Sequence, residues 1–355
     1  MEIITEDIQE EKKGVRFRTA AELSNAISAE VVFISEPYVV AGAIAEISGK
    51  IKASGKITFL LAMCRSVLDR QQFMGYPTSK SPIVYLTEQP DASFRVAIGR
   101  AGLDQREDFL ILSYKDTLSS DWEAIVQAAH AKCAEIGSRL LCVDTLPQFA
   151  GMEGSSENDS GSAMKAVRPL LGLTSEGIAV VVVRHDWKSG GDVGDAGRGS
   201  TAWGGAADTL INITRGDGNS LSTVRNLSCI SRFDGPPEKL VIDLRDGEYV
   251  ALGTQTMVAL SRAKDEILKV VPGCEAEAMK TGDIIEAAAG VNKTIGQQAL
   301  DELFEEGSLQ KIQSKDRGRP FFYWKPMPII SELSFDSVTY REIVVTETNN
   351  SIPSF

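Results

Sequence analysis

A glycine-bounded loop that ends in a Gly-Lys pair is the part of this sequence most typical of phosphate chemistry. Gly49 opens the loop, Gly55 and Lys56 close it, and an apolar run follows at once. Glycines let the backbone turn its N–H groups inward, and a helix beginning at the pair adds free N–H groups and a positive dipole end. These features predict a nest for a polyphosphate, with the lysine as a point charge. The alternative is an ordinary glycine turn before a helix.

The loop departs twice from the usual phosphate-binding pattern. Five residues separate Gly49 from Gly55, where the pattern G-x-x-x-x-G-K-[ST] has four. Ile57 stands where a Ser or Thr hydroxyl would bind Mg²⁺. Thr58 is the next residue, but on a helix it points about 100° away. We therefore predict that nucleotide binding is partly kept and that Mg²⁺-dependent hydrolysis is weak.

Strands alternate with helices along residues 31–254, which predicts an α/β domain with a mostly parallel central sheet. Alternating strands after residue 209 predict an antiparallel extension of that sheet. A single helix is predicted over residues 163–173. The parallel strands are predicted at 44–48, 81–88, 109–113, 139–145 and 178–183.

Polar side chains follow three of these strands at their carboxyl ends, where ligands gather in parallel sheets. Glu88 can orient and deprotonate an attacking water, and Asp144 can hold Mg²⁺ through a water or a hydroxyl. His185 can contact the γ-phosphate. The alternatives are a capping Glu, an Asp that starts a turn and a His with local hydrogen bonds. Because several strand ends agree with the glycine loop, we favour a nucleotide site.

Residues 188–205 form a stretch rich in Gly, Asp and Ser that is too long for a simple connector. Lys188 and Arg198 lie in it. Either can supply positive charge to a phosphoryl-transfer transition state, often in a neighbouring subunit. They can instead contact DNA phosphates or remain solvated loop charges.

The pattern changes near residue 255, where three helices and a β-hairpin predict a small winged helix-turn-helix domain. Lys293 and Gln297 would begin its recognition helix, which meets base edges in such domains. The wing would carry Lys315, Arg317 and Arg319. The later half of the recognition helix is acidic, so both DNA contact and protein docking are open for this domain.

The predicted domain organisation has four segments. They are an N-terminal lead-in over 1–30, the α/β domain over 31–254, the winged helix-turn-helix domain over 255–327 and a C-terminal tail over 328–355.

The composition is that of a globular protein and narrows the functional classes. The 355 residues are 43% hydrophobic and 24% charged, with a net charge of −12. An acidic chain is not a general polyanion binder, so any contact with nucleic acid must be local. Five scattered cysteines and two histidines argue against a disulfide framework or a zinc site. The acidic start and the lack of a long apolar run predict a cytoplasmic protein without a membrane span.

In this order, the motifs resemble those of RecA-fold AAA-type ATPases related to the RepA-like, DnaB-related hexameric helicases. The resemblance covers about residues 30–250. The motifs are the loop 49–56, Tyr85-Leu-Thr-Glu88, Cys142-Val-Asp144-Thr, Arg184-His185 and Gly197-Arg198-Gly-Ser-Thr-Ala. The resemblance implies a RecA-like P-loop fold and a homo-oligomeric ring, usually of six subunits, with ATP between neighbours. Mg²⁺ is the expected second cofactor.

The resemblance also implies roles for individual residues. Lys56 would bind phosphate, Glu88 would be the catalytic carboxylate and Asp144 the Mg²⁺-binding acid. His185 would sense the γ-phosphate, and Arg198 would reach the next subunit's nucleotide, with Lys188 as a second cation. Asp144 and Thr58 are the predicted metal ligands. The predicted nucleotide contacts are Gly49, Lys52, Ser54, Gly55, Lys56, Ile57, Thr58 and Asp144.

Three functional hypotheses follow from the sequence. The first is a ring-forming replicative helicase or mobile-element replication ATPase, with single-stranded DNA in its channel. The second is an ATP-responsive regulator that binds duplex DNA through the winged helix. The third is an assembly factor that has lost hydrolysis.

Overall fold

The structure is a computed structural model of the chain. It describes residues 17–26, 30–52, 54–152, 159–185, 205–216, 221–315 and 318–326. The chain divides into two compact units, Met1–Val258 and Ala259–Phe355. The four predicted segments stay predictions. No helix within the described ranges is both long and apolar enough to cross a membrane.

The first unit alternates strands and helices over most of its length. Its strands are β1 (Phe33–Ser35), β2 (Val39–Val40), β3 (Ile44–Ser48), β4 (Ile83–Thr87), β5 (Phe109–Ser113), β6 (Leu140–Asp144), β7 (Ala179–Val183), β8 (Thr209–Arg215), β9 (Val224–Ser231), β10 (Lys239–Arg245) and β11 (Glu248–Gly253). Its helices are α1 (Ala20–Ala26), α2 (Lys56–Asp69), α3 (Asp91–Arg100), α4 (Trp122–Ile136), α5 (Leu146–Phe149), α6 (Ser160–Val167) and α7 (Leu170–Ser175). The prediction of a single helix over 163–173 is wrong, because the segment forms two helices, α6 and α7. Pro169 cannot donate a helical hydrogen bond, and α6 ends before it.

Nine strands form one sheet in the order β11-β10-β9-β8-β3-β7-β6-β4-β5. Neighbours from β8 through β5 pair parallel, and those from β8 through β11 pair antiparallel. The α/β class with a mostly parallel sheet and an antiparallel extension is therefore confirmed. β1 and β2 form a separate antiparallel pair.

Both faces of the central strands are buried, and the side chains alternate between two hydrophobic cores. On β7, Ala179, Val181 and Val183 belong to one core, whereas Val180 and Val182 belong to the other. Because successive side chains of a strand point to opposite faces, a run of β-branched residues suits a strand covered by helices on both sides. This burial holds the carboxyl ends of the strands in one register.

The second unit has a separate core around Ile267, Leu300, Leu303 and Tyr323. A three-stranded antiparallel sheet has the order β12-β14-β13. The predicted three helices and hairpin are present, with β12 as an additional strand. The winged helix-turn-helix assignment stays a prediction. The elements are α8 (Gln255–Val270), which begins just before the boundary between the units, β12 (Met279–Lys280), α9 (Thr281–Ala287), α10 (Lys293–Glu305), β13 (Gln310–Gln313) and β14 (Phe321–Trp324).

Truncation of Leu141 tests the assignment of β6 to the centre of the first unit. Its side chain is fully buried, so Leu141→Ala should lower the free energy of unfolding by about 2–5 kcal/mol. The matched control is Leu171→Ala on α7, where the side chain is 49% exposed and the expected loss is about 0.5 kcal/mol. Urea denaturation measures both. Equal losses would contradict the placement of β6.

Candidate nucleotide-binding site

The loop between β3 and α2 has a backbone that needs glycine at both ends. Gly49 and Gly55 have φ angles of 155° and 85°. A Cβ on Gly49 would lie 2.4 Å from the carbonyl oxygen of Ile213, so only glycine fits there. Gly55 precedes α2 directly and takes the left-handed conformation. The strand, glycine loop and helix predicted from the sequence are all present.

Lys56 points into the loop that precedes it. Its Nζ donates to the carbonyl oxygens of Gly49 over 2.6 Å and of Lys50 over 3.3 Å. The residue is 4% exposed. The hydroxyl of Ser54 also donates to the carbonyl oxygen of Lys50, over 3.1 Å. A buried ammonium inside a loop at a helix N-terminus is the arrangement that favours binding of phosphate.

The two residues after Lys56, in the first turn of α2, differ in burial. Ile57 is partly buried and packs against a hydrophobic core, whereas Thr58 is exposed. Lys52 is also exposed and has a φ of 55°. Among the described residues, no group of three or more His, Cys, Asp or Glu side chains is placed to hold a metal ion.

The register of the sheet brings the loop and the predicted acids to the same edge. Val183 of β7 pairs with Ile47 of β3 on one side and with Asp144 of β6 on the other. Thr87 of β4 pairs with Asp144 in turn. The next residues along these strands therefore leave the sheet side by side, and β3 and β6 are two strand spacings apart, or roughly 10 Å.

Asp144 is 1% exposed at the end of β6. Burial raises its pKa from the ordinary 3.8 to about 6, and the charge of Glu88 acts in the same direction. Tyr85 opposes this shift, because its hydroxyl donates to Asp144 Oδ2 over 3.1 Å. Tyr85 lies within one of the motifs found in the sequence, but no role was predicted for it. Its signal was a phenol within an otherwise apolar strand, since a buried Tyr hydroxyl usually needs a partner.

Glu88 follows β4 and lies close to two side chains, one that follows β6 and one that follows β7. Thr145 Oγ1 donates to Glu88 Oε2 over 2.5 Å, and His185 Nε2 lies 3.8 Å from Oε1. Burial acts to raise the pKa of Glu88, but His185 and Thr145 outweigh it and the pKa lies below its ordinary value. Glu88 is therefore ionised near neutral pH and able to accept a proton. The sequence did not single out Thr145 for this contact.

A buried ion pair lies next to His185. Arg184 Nη1 donates to Glu46 Oε1 over 3.0 Å, and the two side chains are 11% and 6% exposed. The pair joins the end of β7 to β3, the strand that leads into the glycine loop. A lone Glu between apolar residues of β3 was the sequence signal for it, because a buried charge needs a partner.

The remaining predicted residues belong either to the part of the chain that the structure does not describe or to the second unit. Lys188, Arg198 and Arg317 lie outside the described residues. In the second unit, Lys293 is the exposed first residue of α10, and Gln297 donates to Asp301 over 3.3 Å. Lys315 and Arg319 are exposed between β13 and β14.

The raised pKa of Asp144 predicts how stability depends on pH. Between its ordinary pKa of 3.8 and about 6, the native state keeps a proton that the unfolded state has lost, so stability falls as pH rises. Asp144→Asn removes this ionisation. The stability of the variant relative to the native chain should therefore increase by about 2 kcal/mol between pH 4 and pH 7.

Urea denaturation across that pH range measures the effect. Asp104→Asn, at an exposed carboxylate after α3, is the control and should run parallel to the native chain. Parallel profiles for Asp144→Asn and the native chain would contradict the raised pKa of Asp144.

Comparisons with known proteins cover the part of the chain that holds this site. Residues 18–191, just under half of the chain, match the family model described as AAA domain. No curated protein sequence gives a significant match. Solved structures that match include a KaiC-like protein from the hyperthermophilic archaeon Pyrococcus horikoshii, with 14% identity, a TM-score of 0.47 and coverage of 62% of this chain and 99% of that chain. Residues 18–191 are therefore similar to an AAA domain, and this part of the chain contains the glycine loop, Glu88, Asp144 and His185.

Proposed function

We propose that this chain is a ring-forming ATPase with a RecA-like domain, that it acts on DNA and that it hydrolyses ATP between subunits. The observation that carries the proposal is the common edge of β3, β6 and β4, where the glycine loop, Asp144 and Glu88 meet. A phosphate-binding loop and an ionised carboxylate are two of the parts that phosphoryl transfer to water needs. The cytoplasm is the proposed location.

The residues at this edge would have different roles in hydrolysis. The loop N–H groups and Lys56 hold the phosphates and neutralise charge. Glu88, whose pKa is lowered, orients a water and takes its proton. His185, whose Nε2 lies 3.8 Å from Glu88 Oε1, would contact the γ-phosphate and so sense its presence. Asp144 and Thr58 are the residues proposed to hold Mg²⁺, which would neutralise phosphate charge when bound.

The subunit arrangement and the DNA contacts rest on the resemblance in motif order to the RepA-like helicases. Arg198 is the proposed finger to the neighbouring nucleotide, and Lys188 is a second cation for the nucleotide or for DNA. A hexamer with single-stranded DNA in its channel is the proposed assembly. In the second unit, the start of α10 and the segment between β13 and β14 would contact duplex DNA.

The packing of Ile57 supports a second candidate, an ATP-responsive DNA-binding regulator with weak hydrolysis. Its side chain is turned against a hydrophobic core and has no oxygen for Mg²⁺. Phosphate binding does not depend on that oxygen, because the loop N–H groups and Lys56 are the groups that would hold the phosphates. The weakness would therefore affect turnover more than affinity.

Restoring the missing hydroxyl tests whether its absence weakens turnover. Ile57→Thr should raise the turnover number for ATP by about tenfold or more, corresponding to about 1.4 kcal/mol in the barrier. Ile57→Val is the matched control, because valine has nearly the shape of threonine without the oxygen. Steady-state phosphate release with Mg²⁺ measures both variants. Equal turnover for the two would show that the hydroxyl is not what limits hydrolysis.

Glu88→Gln should abolish the release of phosphate while ATP still binds.

Two measurements separate the helicase from the regulator. Strand displacement with ATP and Mg²⁺ is expected if the chain is a motor, and selective binding of duplex DNA without unwinding is expected if it is a regulator. The molar mass from light scattering, with and without ATP and Mg²⁺, tests the ring. A monomer under both conditions would contradict the proposed role of Arg198.

A further inference from the structure

Arg225 of β9 reaches the glycine loop from outside the parallel part of the sheet. Its Nε donates to the carbonyl oxygen of Ser54 over 2.8 Å. Its Nη1 donates to the carbonyl oxygens of Ser222 and Val224, each over 2.7 Å. The guanidinium is therefore held by its own strand while one N–H is directed at the loop. An arginine is suited to this task because its donors are fixed in one plane.

The bond to Ser54 acts on a peptide group whose other side belongs to the phosphate nest. The carbonyl of Ser54 and the N–H of Gly55 are parts of one planar peptide, so they point in opposite directions. When Arg225 holds the carbonyl on the β9 side, the N–H of Gly55 is directed away from β9. That N–H lies at the N-terminus of α2, where backbone donors bind anions.

Gly55 fits this contact for two reasons. Its φ of 85° is in the left-handed region, and a Cβ there would lie 3.1 Å from Arg225 Nε and 3.7 Å from the hydroxyl of Tyr249. Tyr249 of β11 packs edge-on against Phe59 of α2, with ring centroids 5.5 Å apart. The antiparallel strands thus support both the end of the loop and the helix that follows it.

We infer that Arg225 is a positioning residue for nucleotide binding, because it orients the peptide between Ser54 and Gly55 so that the N–H of Gly55 can donate to a phosphate. This inference rests on the proposed function, in which the loop binds the phosphates of ATP. It adds the antiparallel extension of the sheet to the parts that determine nucleotide affinity. The sequence motifs of the loop contain no sign of Arg225.

Calorimetric titration of the full chain with ATP and Mg²⁺ tests the inference. A charge-assisted hydrogen bond that orients a phosphate donor corresponds to about a tenfold change in Kd or more, so Arg225→Gln should raise the Kd by that factor. Arg225→Lys keeps a charged donor without the planar fork and should give an intermediate Kd. The matched control is Arg245→Gln on β10, whose guanidinium pairs with Asp243 over 2.9 Å. Its Kd should equal that of the native chain.

The melting temperature without nucleotide separates positioning from stability. A positioning role predicts that Arg225→Gln melts close to the native chain while its Kd rises, and that lysine partly restores affinity. A native Kd in folded Arg225→Gln overturns the inference. If that variant does not fold, Arg225→Lys decides: a raised Kd supports the inference, and a native Kd overturns it. Failure of the native chain itself to bind ATP would instead overturn the proposed function.

Discussion

The common register of β3, β7, β6 and β4 is the constraint on which the rest of the first unit depends. Val183 is paired on both sides, with Ile47 and with Asp144. The glycine loop, His185, Thr145 and Glu88 consequently leave the sheet in one row. The register is strongly specified because both faces of these strands are buried, and a slip by one residue would exchange the side chains of the two cores.

The surroundings at that edge give two carboxyl groups opposite properties. Asp144 is enclosed in the sheet, and burial raises its pKa to about 6. Glu88 is beyond the end of its strand, where Thr145 and His185 lower its pKa against the effect of burial. Neighbouring acids whose pKa values are moved apart can take different parts in one reaction. Here the proposed base is the ionised Glu88, and the proposed metal ligand is the enclosed Asp144.

The order of strands and helices and most of the candidate site could be predicted from the sequence. The apolar runs ending at Asp144 and at His185 indicated buried parallel strands, and the Gly-Lys pair indicated the start of α2. The break between α6 and α7 and the partners of the site residues were not predicted. Tyr85, Thr145 and Arg225 lie far from their partners along the chain, and a pattern of neighbouring residues carries no information about such contacts.

The sequence by itself determined the α/β class, the position of the glycine loop and the absence of a hydroxyl at Ile57, because these follow from local residue types and their spacing. Only the tertiary structure decided that Lys56 turns into the loop, that Asp144 and Glu88 differ in pKa and that Arg225 holds the carbonyl of Ser54. Burial, pKa and hydrogen-bond direction depend on which distant segments meet, and those meetings are set by the register and packing of the sheet.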